Sequence, residues 1–171
     1  MKRIFLLRHG KSDWNAAYGT DHDRPLKGRG VRAARLMGGF LAETGQQPAL
    51  VISSSAVRAV STAQLAAEAG NWECEIRIEP GLYGTGPHGV LEQIQSVEDE
   101  FDSVLLTGHE PTFSQAAGDL IGGGALRFPT AALACIDVAA ASWSSIEFGR
   151  GMLTWFVTPK LLAAAGFPDD A

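Results

Sequence analysis

Apolar residues along this chain follow two rhythms that alternate from one end to the other. Short runs apolar at nearly every position suit strands buried on both faces of a sheet, and longer segments with an apolar residue every third or fourth position suit helices. The first strand is expected over residues 3–7, breaking off at Arg8-His9-Gly10. A polar loop with Asp21, Asp23 and Pro25 follows. A helix over residues 27–43 then carries Val31, Ala34, Met37 and Leu41 on one face and stops at Gly45. Residues 50–52 read as a second buried strand, and Ser53-Ser54-Ser55 supply capping side chains for an Ala-rich helix to residue 69, with Arg58 in its first turn. Cys74, Ile76 and Ile78 alternate as a third strand before a glycine-rich loop over residues 81–89 and a short helix over residues 90–97. Residues 104–106 repeat the design of the first strand and end at Thr107-Gly108-His109-Glu110-Pro111, with a helix over residues 112–121. Two later strands are expected over residues 132–138 and 152–157, and the segment 161–171 reads as a terminal tail. The alternation predicts an α/β fold with a mostly parallel sheet covered by helices, and no internal repeat or linker interrupts it.

That pattern says where to look for chemistry. In open α/β sheets ligands bind beyond the carboxyl ends of the strands, and Arg8, His9 and His109 each follow a strand while Arg58 follows another by one helical turn. Residues distant in sequence can therefore converge. A phosphoryl group calls for fork-shaped cationic donors, which two arginines supply with better geometry than lysines, and helix N-terminal amides near Arg58 and after Pro111 would add more. An imidazole can attack phosphorus to give a phosphohistidine that water later hydrolyses, and His9 is the candidate.

Composition narrows the picture. With 171 residues, 46% of them hydrophobic and 19% charged, the chain is expected to form one domain over residues 1–171. Only four apolar residues follow Lys2-Arg3 before Arg8, so no signal peptide or membrane span is expected and the protein reads as cytoplasmic. Cys74 and Cys135 are expected as two buried, reduced thiols. A formal charge of -5 argues against nucleic acid or membrane as partners and leaves room for a small positive pocket.

The segment from Leu6 through Leu7-Arg8-His9-Gly10-Lys11-Ser12-Asp13-Trp14 to Asn15 resembles the signature of the histidine phosphatase superfamily, which also contains the cofactor-dependent phosphoglycerate mutases. Ser53-Ser54-Ser55-Ala56-Val57-Arg58 with Thr62-Ala63 resembles its second arginine motif, and Gly108-His109-Glu110-Pro111 its second histidine motif. With Asp23-Arg24-Pro25-Leu26 before the first helix, the chain is most similar to the SixA-like phosphohistidine phosphatases over roughly residues 2–157. The resemblance implies a three-layer α/β/α fold of phosphoglycerate mutase type. It implies that His9 is the phosphorylated nucleophile, that Arg8 and Arg58 hold phosphoryl oxygens and that His109 is the second catalytic histidine, with no cofactor or metal. Ser12 and Asn15 match positions that bind substrate in relatives. The implied substrate is a phosphorylated protein, in particular one carrying phosphohistidine, or a small phosphorylated metabolite; the alternatives are a small-molecule phosphomonoesterase or phosphomutase.

One departure stands out. Many members carry a proton-donating glutamate in a Leu-x-Glu segment, where this chain has Leu82-Tyr83-Gly84; Glu79 is out of register. Asp13, Asp21, Asp23 and Glu110 remain as candidate general acids. Simpler readings exist for single residues: Ser12 and Asn15 can be turn formers, and Asp21-His22-Asp23 a solvated loop rather than a metal site. The glycine pattern from Gly84 to Gly89 matches a dinucleotide fingerprint formally, but Pro87 removes an amide and the pattern trails its strand. No Gly-x-Ser-x-Gly elbow occurs. A non-catalytic phosphoryl-binding adaptor would leave the two histidines unexplained.

Overall fold

The computed structural model describes residues 1–167. Six strands form one mixed sheet in the order β3-β2-β4-β1-β5-β6. They are β1 (Lys2–Arg8), β2 (Leu50–Ser54), β3 (Glu75–Glu79), β4 (Ser103–Gly108), β5 (Leu133–Val138) and β6 (Gly151–Val157). The first four run parallel and the last two antiparallel to their neighbours. Four helices connect strands, α1 (Gly28–Glu43), α2 (Val57–Ala69), α3 (Pro87–Gln95) and α4 (Thr112–Leu120), and α5 (Pro159–Ala164) follows β6.

The alternation of side chains along β1 divides the core. Ile4 and Leu6 point to one face, where Val90 and Ile94 of α3 and Phe113 and Ala116 of α4 cover them. Phe5 and Leu7 point to the other, against Met37 and Leu41 of α1, Ala63 and Ala66 of α2 and Leu162 of α5. Because both faces are covered, β1, β2 and β4 are apolar at successive positions, which is the three-layer α/β/α arrangement. The α1 helix ends where expected: Gly45 takes φ +65°, and the Gln46 amide reaches back to the Leu41 carbonyl at 2.7 Å.

Several local expectations are corrected. The three serines after β2 do not cap α2. Sheet pairing extends β2 to Ser54, with Ser53 opposite both Ile78 and Thr107, and α2 starts from Ala56 without a side-chain cap. The third helix begins at Pro87, a position where proline costs no hydrogen bond, rather than at residue 90. The edge position of β3 leaves Ile78 54% exposed, and Cys74 lies before the strand, half-buried; Cys135 is buried, and both thiols are free. Of the tail, Leu161 to Ala164 belong to α5, whose Leu162 joins the core, and residues 168–171 lie outside the described residues. No helix among the described residues is long and apolar enough to cross a membrane.

Candidate active site

Register brings the two histidines together. Arg8 pairs with Gly108 across the β1–β4 ladder, and the His9 amide donates to the Gly108 carbonyl at 3.0 Å, so His9 and His109 leave adjacent parallel strands side by side. Their ring centroids are 5.2 Å apart. On the far side of β4, β2 ends at Ser54, whose Oγ lies 2.8 Å from His109 Nε2. The α2 helix carries Arg58 over these strand ends. Its Thr62 is a hub: its Oγ1 donates to the Arg58 carbonyl at 2.6 Å and accepts from the Gly10 amide at 2.9 Å, tying the helix to the turn after β1.

The loop from residue 9 to 27 folds back on itself. Ser12 and Leu26 form an isolated antiparallel bridge, the Asp13 amide donates to the Pro25 carbonyl and the Lys27 amide to that of Lys11, both at 2.8 Å. This sets Arg24, only 6% exposed, beside Ser12, to whose Oγ its Nη1 donates, with its guanidinium 3.6 Å over the Trp14 ring. A cavity of about 200 Å³ results, lined by Arg8, His9, Ser12, Arg24, Arg58 and His109, and further by Lys11, Trp14, Glu110 and Thr130.

Hydrogen bonding fixes how His9 is presented. Its Nδ1 lies 2.7 Å from the Gly10 carbonyl, which can only accept, so in the neutral ring Nδ1 carries the proton and Nε2 the lone pair. Burial drives its pKa from 6.5 down to about 3; the Gly10 bond opposes this, and His109, Arg58 and Arg8 add repulsion. His109 is lowered to about 4, first by burial and then by Arg58, with Asp21 opposing. Both imidazoles are neutral at neutral pH. Arg8 is anchored by Nη1 on the Phe128 carbonyl at 2.7 Å, while Arg8 Nε, Arg58 Nε and His109 Nδ1 are buried without a protein partner among the described residues. Buried polar nitrogens without partners are uncommon in folded proteins and suit a site that receives a ligand.

The carboxylates are spoken for. Asp21 accepts from Arg24 Nη2 at 2.9 Å and Arg58 Nη2 at 3.0 Å, and although burial opposes it, these arginines hold its carboxyl below the usual range. Asp23 accepts from the amide and hydroxyl of Thr20, which lower its pKa, and Asp13 accepts from the Asn15 amide at 3.0 Å. Glu79 accepts from the Gly81 amide, away from the cavity. Glu110 lines the cavity, and its carboxylate accepts from the Ser114 amide at 3.0 Å. Beside Gly84, which holds the sequence position of the missing glutamate, Tyr83 stands edge-on to His109 at 5.6 Å between centroids, and its hydroxyl lies 3.3 Å from Asp21.

Of the residues singled out from the sequence, Arg8, His9, Ser12, Arg58 and His109 meet in this cavity. Asn15 does not; it is exposed, its amide in the turn closed by Asp13. The amides expected as donors after Pro111 are taken by the His109 carbonyl and the Glu110 carboxylate. Asp21 faces Arg24 and Arg58, while His22 lies 2.9 Å from Ser55 Oγ and its Nδ1 3.7 Å from Asp23. Arg24, Lys11 and the hub Thr62 were missed. Arg24 and Thr62 both lie in segments that carry the family resemblance, which was the signal available for them, but nothing in their spacing shows their contacts with Ser12 and Gly10.

Comparison with known proteins agrees with this architecture. Residues 4–86 match the model of the histidine phosphatase superfamily (branch 1). An uncharacterized protein of Mycobacterium leprae is 32% identical over 166 residues, covering 90% of this chain and 100% of the relative. A solved structure from Agrobacterium tumefaciens, provisionally assigned as the phosphohistidine phosphatase SixA, superposes with a TM-score of 0.77 at 30% identity, covering 92% of this chain and 98% of that one. The protein histidine phosphatase SixA complexed with tungstate superposes with a TM-score of 0.78 at 27% identity, covering 94% and 99%. The chain belongs to the histidine phosphatase superfamily.

Proposed function

We propose that the protein is a metal-independent phosphatase that forms a phosphohistidine on His9 and acts on protein phosphohistidine in the manner of SixA. The observation that carries this reading is the pinning of His9 Nδ1 by the Gly10 carbonyl, which leaves a neutral Nε2 lone pair in a cavity lined by Arg8, Arg24 and Arg58. In the first step Nε2 attacks phosphorus, the bond to the leaving group breaks, and Arg8, Arg58 and His109 hold the charge on the non-bridging oxygens. In the second, water attacks the phosphohistidine, releasing inorganic phosphate and returning the lone pair to Nε2. Asp21 bridges Arg24 and Arg58, and an incoming phosphoryl group competes with it for the same donors.

The substrate class is supported by the two SixA superpositions and by the leaving-group side of the site. Asp21 is held by Arg24 and Arg58 below the usual carboxylate range, a setting for the ionised form rather than for a proton donor. A phosphoramidate bond, labile in itself, needs less help from an acid than an alkyl ester does. The experiment is to replace His9 by Ala and to quench the wild-type protein during turnover of a radiolabelled phosphohistidine protein. Loss of turnover by roughly a thousand-fold or more is expected, with acid-labile, base-stable label on His9. Near-normal turnover, or label on Ser12, would refute the nucleophile assignment.

A further inference from the structure

Beside the candidate active site lies a second, larger concavity of about 450 Å³. The two share walls: Lys11 and Thr130 line both. The closeness has a local cause. A Cβ on Gly30 would sit 2.3 Å from the Lys11 carbonyl oxygen, and one on Gly10 would sit 2.6 Å from that of Gly30, so only glycine at both positions lets the first turn of α1 lie against the turn that carries His9. That contact places Arg29 and Arg32 next to Lys11. The α5 helix contributes Lys160 and Ala163, and Ala33, Pro129 and Pro159 add further apolar lining.

The charge is unusual for this molecule. The chain has 14 basic and 19 acidic residues, yet no Asp or Glu among the described residues lines this groove. Arg3, Arg24, Arg35, Arg58 and Arg77 all have carboxylate partners, whereas none of Lys11, Arg29, Arg32 and Lys160 is in an ion pair among the described residues. Four unpaired cations and a mostly apolar remainder therefore line a groove that adjoins the cavity of His9. A compact second phosphate would want donors converging on one point; cations spread over α1, α5 and the turn after β1, with apolar residues among them, suit an extended chain with acidic and small apolar side chains.

We infer that this groove binds an acidic segment of the phosphoprotein substrate, the stretch of chain next to the phosphorylated residue. The inference rests on the phosphatase reading and makes it specific. The cavity of His9 has room for a phosphoryl group and its leaving group, so the rest of a protein substrate must leave it, and the groove offers complementary charge on one side.

The test uses the full chain and peptides with one phosphohistidine flanked by glutamates or, for comparison, by glutamines. The wild-type protein should favour the glutamate peptide at least tenfold in kcat/KM, through KM, and lose the preference as salt is raised. The variant R29Q/R32Q/K160Q should lose the preference while hydrolysing p-nitrophenyl phosphate within twofold of wild type, and R29K/R32K should retain it. A wild-type protein indifferent to the flanking residues overturns the inference. So does a preference that survives in the triple variant, or a triple variant that loses affinity for a small bisphosphorylated ester and not for the peptide. A binding arm separates this from the phosphatase reading: a fluorescein-labelled, unphosphorylated glutamate peptide should bind the wild type at least tenfold tighter than the triple variant, even if no phosphate ester is turned over. Equal binding there overturns the groove assignment by itself.

Discussion

A neutral imidazole attacks only through the nitrogen that lacks a proton, and at His9 a single backbone carbonyl decides which that is. Burial supplies the other condition, by keeping the ring neutral well below its ordinary pKa. The same burial carries a stability consequence whose sign is fixed. His9 binds its proton at about 3 when folded and near 6.5 when unfolded. Between those values the unfolded chain holds more protons, so stability rises with pH through that window and is lost as pH falls through it. From pH 7 to pH 5, where most carboxylates stay ionised, His9 alone should cost about 2 kcal/mol. Urea unfolding of wild type and His9→Gln at both pH values measures this: the decline should be smaller in the variant by about that amount. An equal decline in both proteins would show that the His9 ring is not held neutral by the fold.

At the scale of elements, the site depends on how closely α1 and α2 pack on one face of the sheet. Gly38 of α1 faces Ala66 of α2 so closely that a Cβ on Gly38 would lie 2.0 Å from the Ala66 carbonyl oxygen and 2.6 Å from its carbon. These are backbone atoms, which cannot turn aside, so Gly38→Ala should destabilise by about 2 kcal/mol despite the better helix propensity of alanine. Gly28→Ala, at the start of the same helix, meets nothing nearer than Arg32 Nη1 at 3.8 Å and should be neutral or slightly stabilising. Urea midpoints of the two variants check the contrast; equal midpoints would mean that the helices separate at little cost. The elements themselves were legible because buried strands and amphipathic helices have different periods, and β1 and β4 each contain an unbroken apolar run, Ile4 to Leu7 and Val104 to Leu106. The ends of elements were less so. Ser53 and Ser54 have the composition of a cap, and only the neighbouring strands β3 and β4, which sequence spacing cannot see, draw them into β2. Ser54 thereby reaches His109 instead of the helix amides.

On the scale of the whole molecule, three strand ends distant in the chain converge because β2, β4 and β1 are neighbours in the sheet. Placement at strand ends made that convergence foreseeable for Arg8, His9, Arg58 and His109. Strand order was not foreseeable, nor was the loop from residue 9 to 27 that doubles back to bring Arg24 against Ser12, since that depends on a two-residue bridge with no local signature. The same architecture bears on what becomes of the phosphoryl group. A mutase has to keep the phosphohistidine from water until an acceptor alcohol arrives, which requires cover over the cavity. Here that cover is thin: the loop to residue 27 folds back on itself, Tyr83 meets His109 only edge-on, and Trp14 at the cavity edge is 62% exposed. Water therefore competes well, and an aryl phosphate turned over in the presence of molar glycerol should yield mostly inorganic phosphate, with glycerol phosphate a minor product of roughly a tenth or less, set by the competition of water and alcohol for one intermediate. Phosphorus NMR of the reaction mixture measures the ratio directly. A ratio reversed in favour of glycerol phosphate would show that the phosphohistidine is shielded and that transfer, rather than hydrolysis, is what this fold has been built to do.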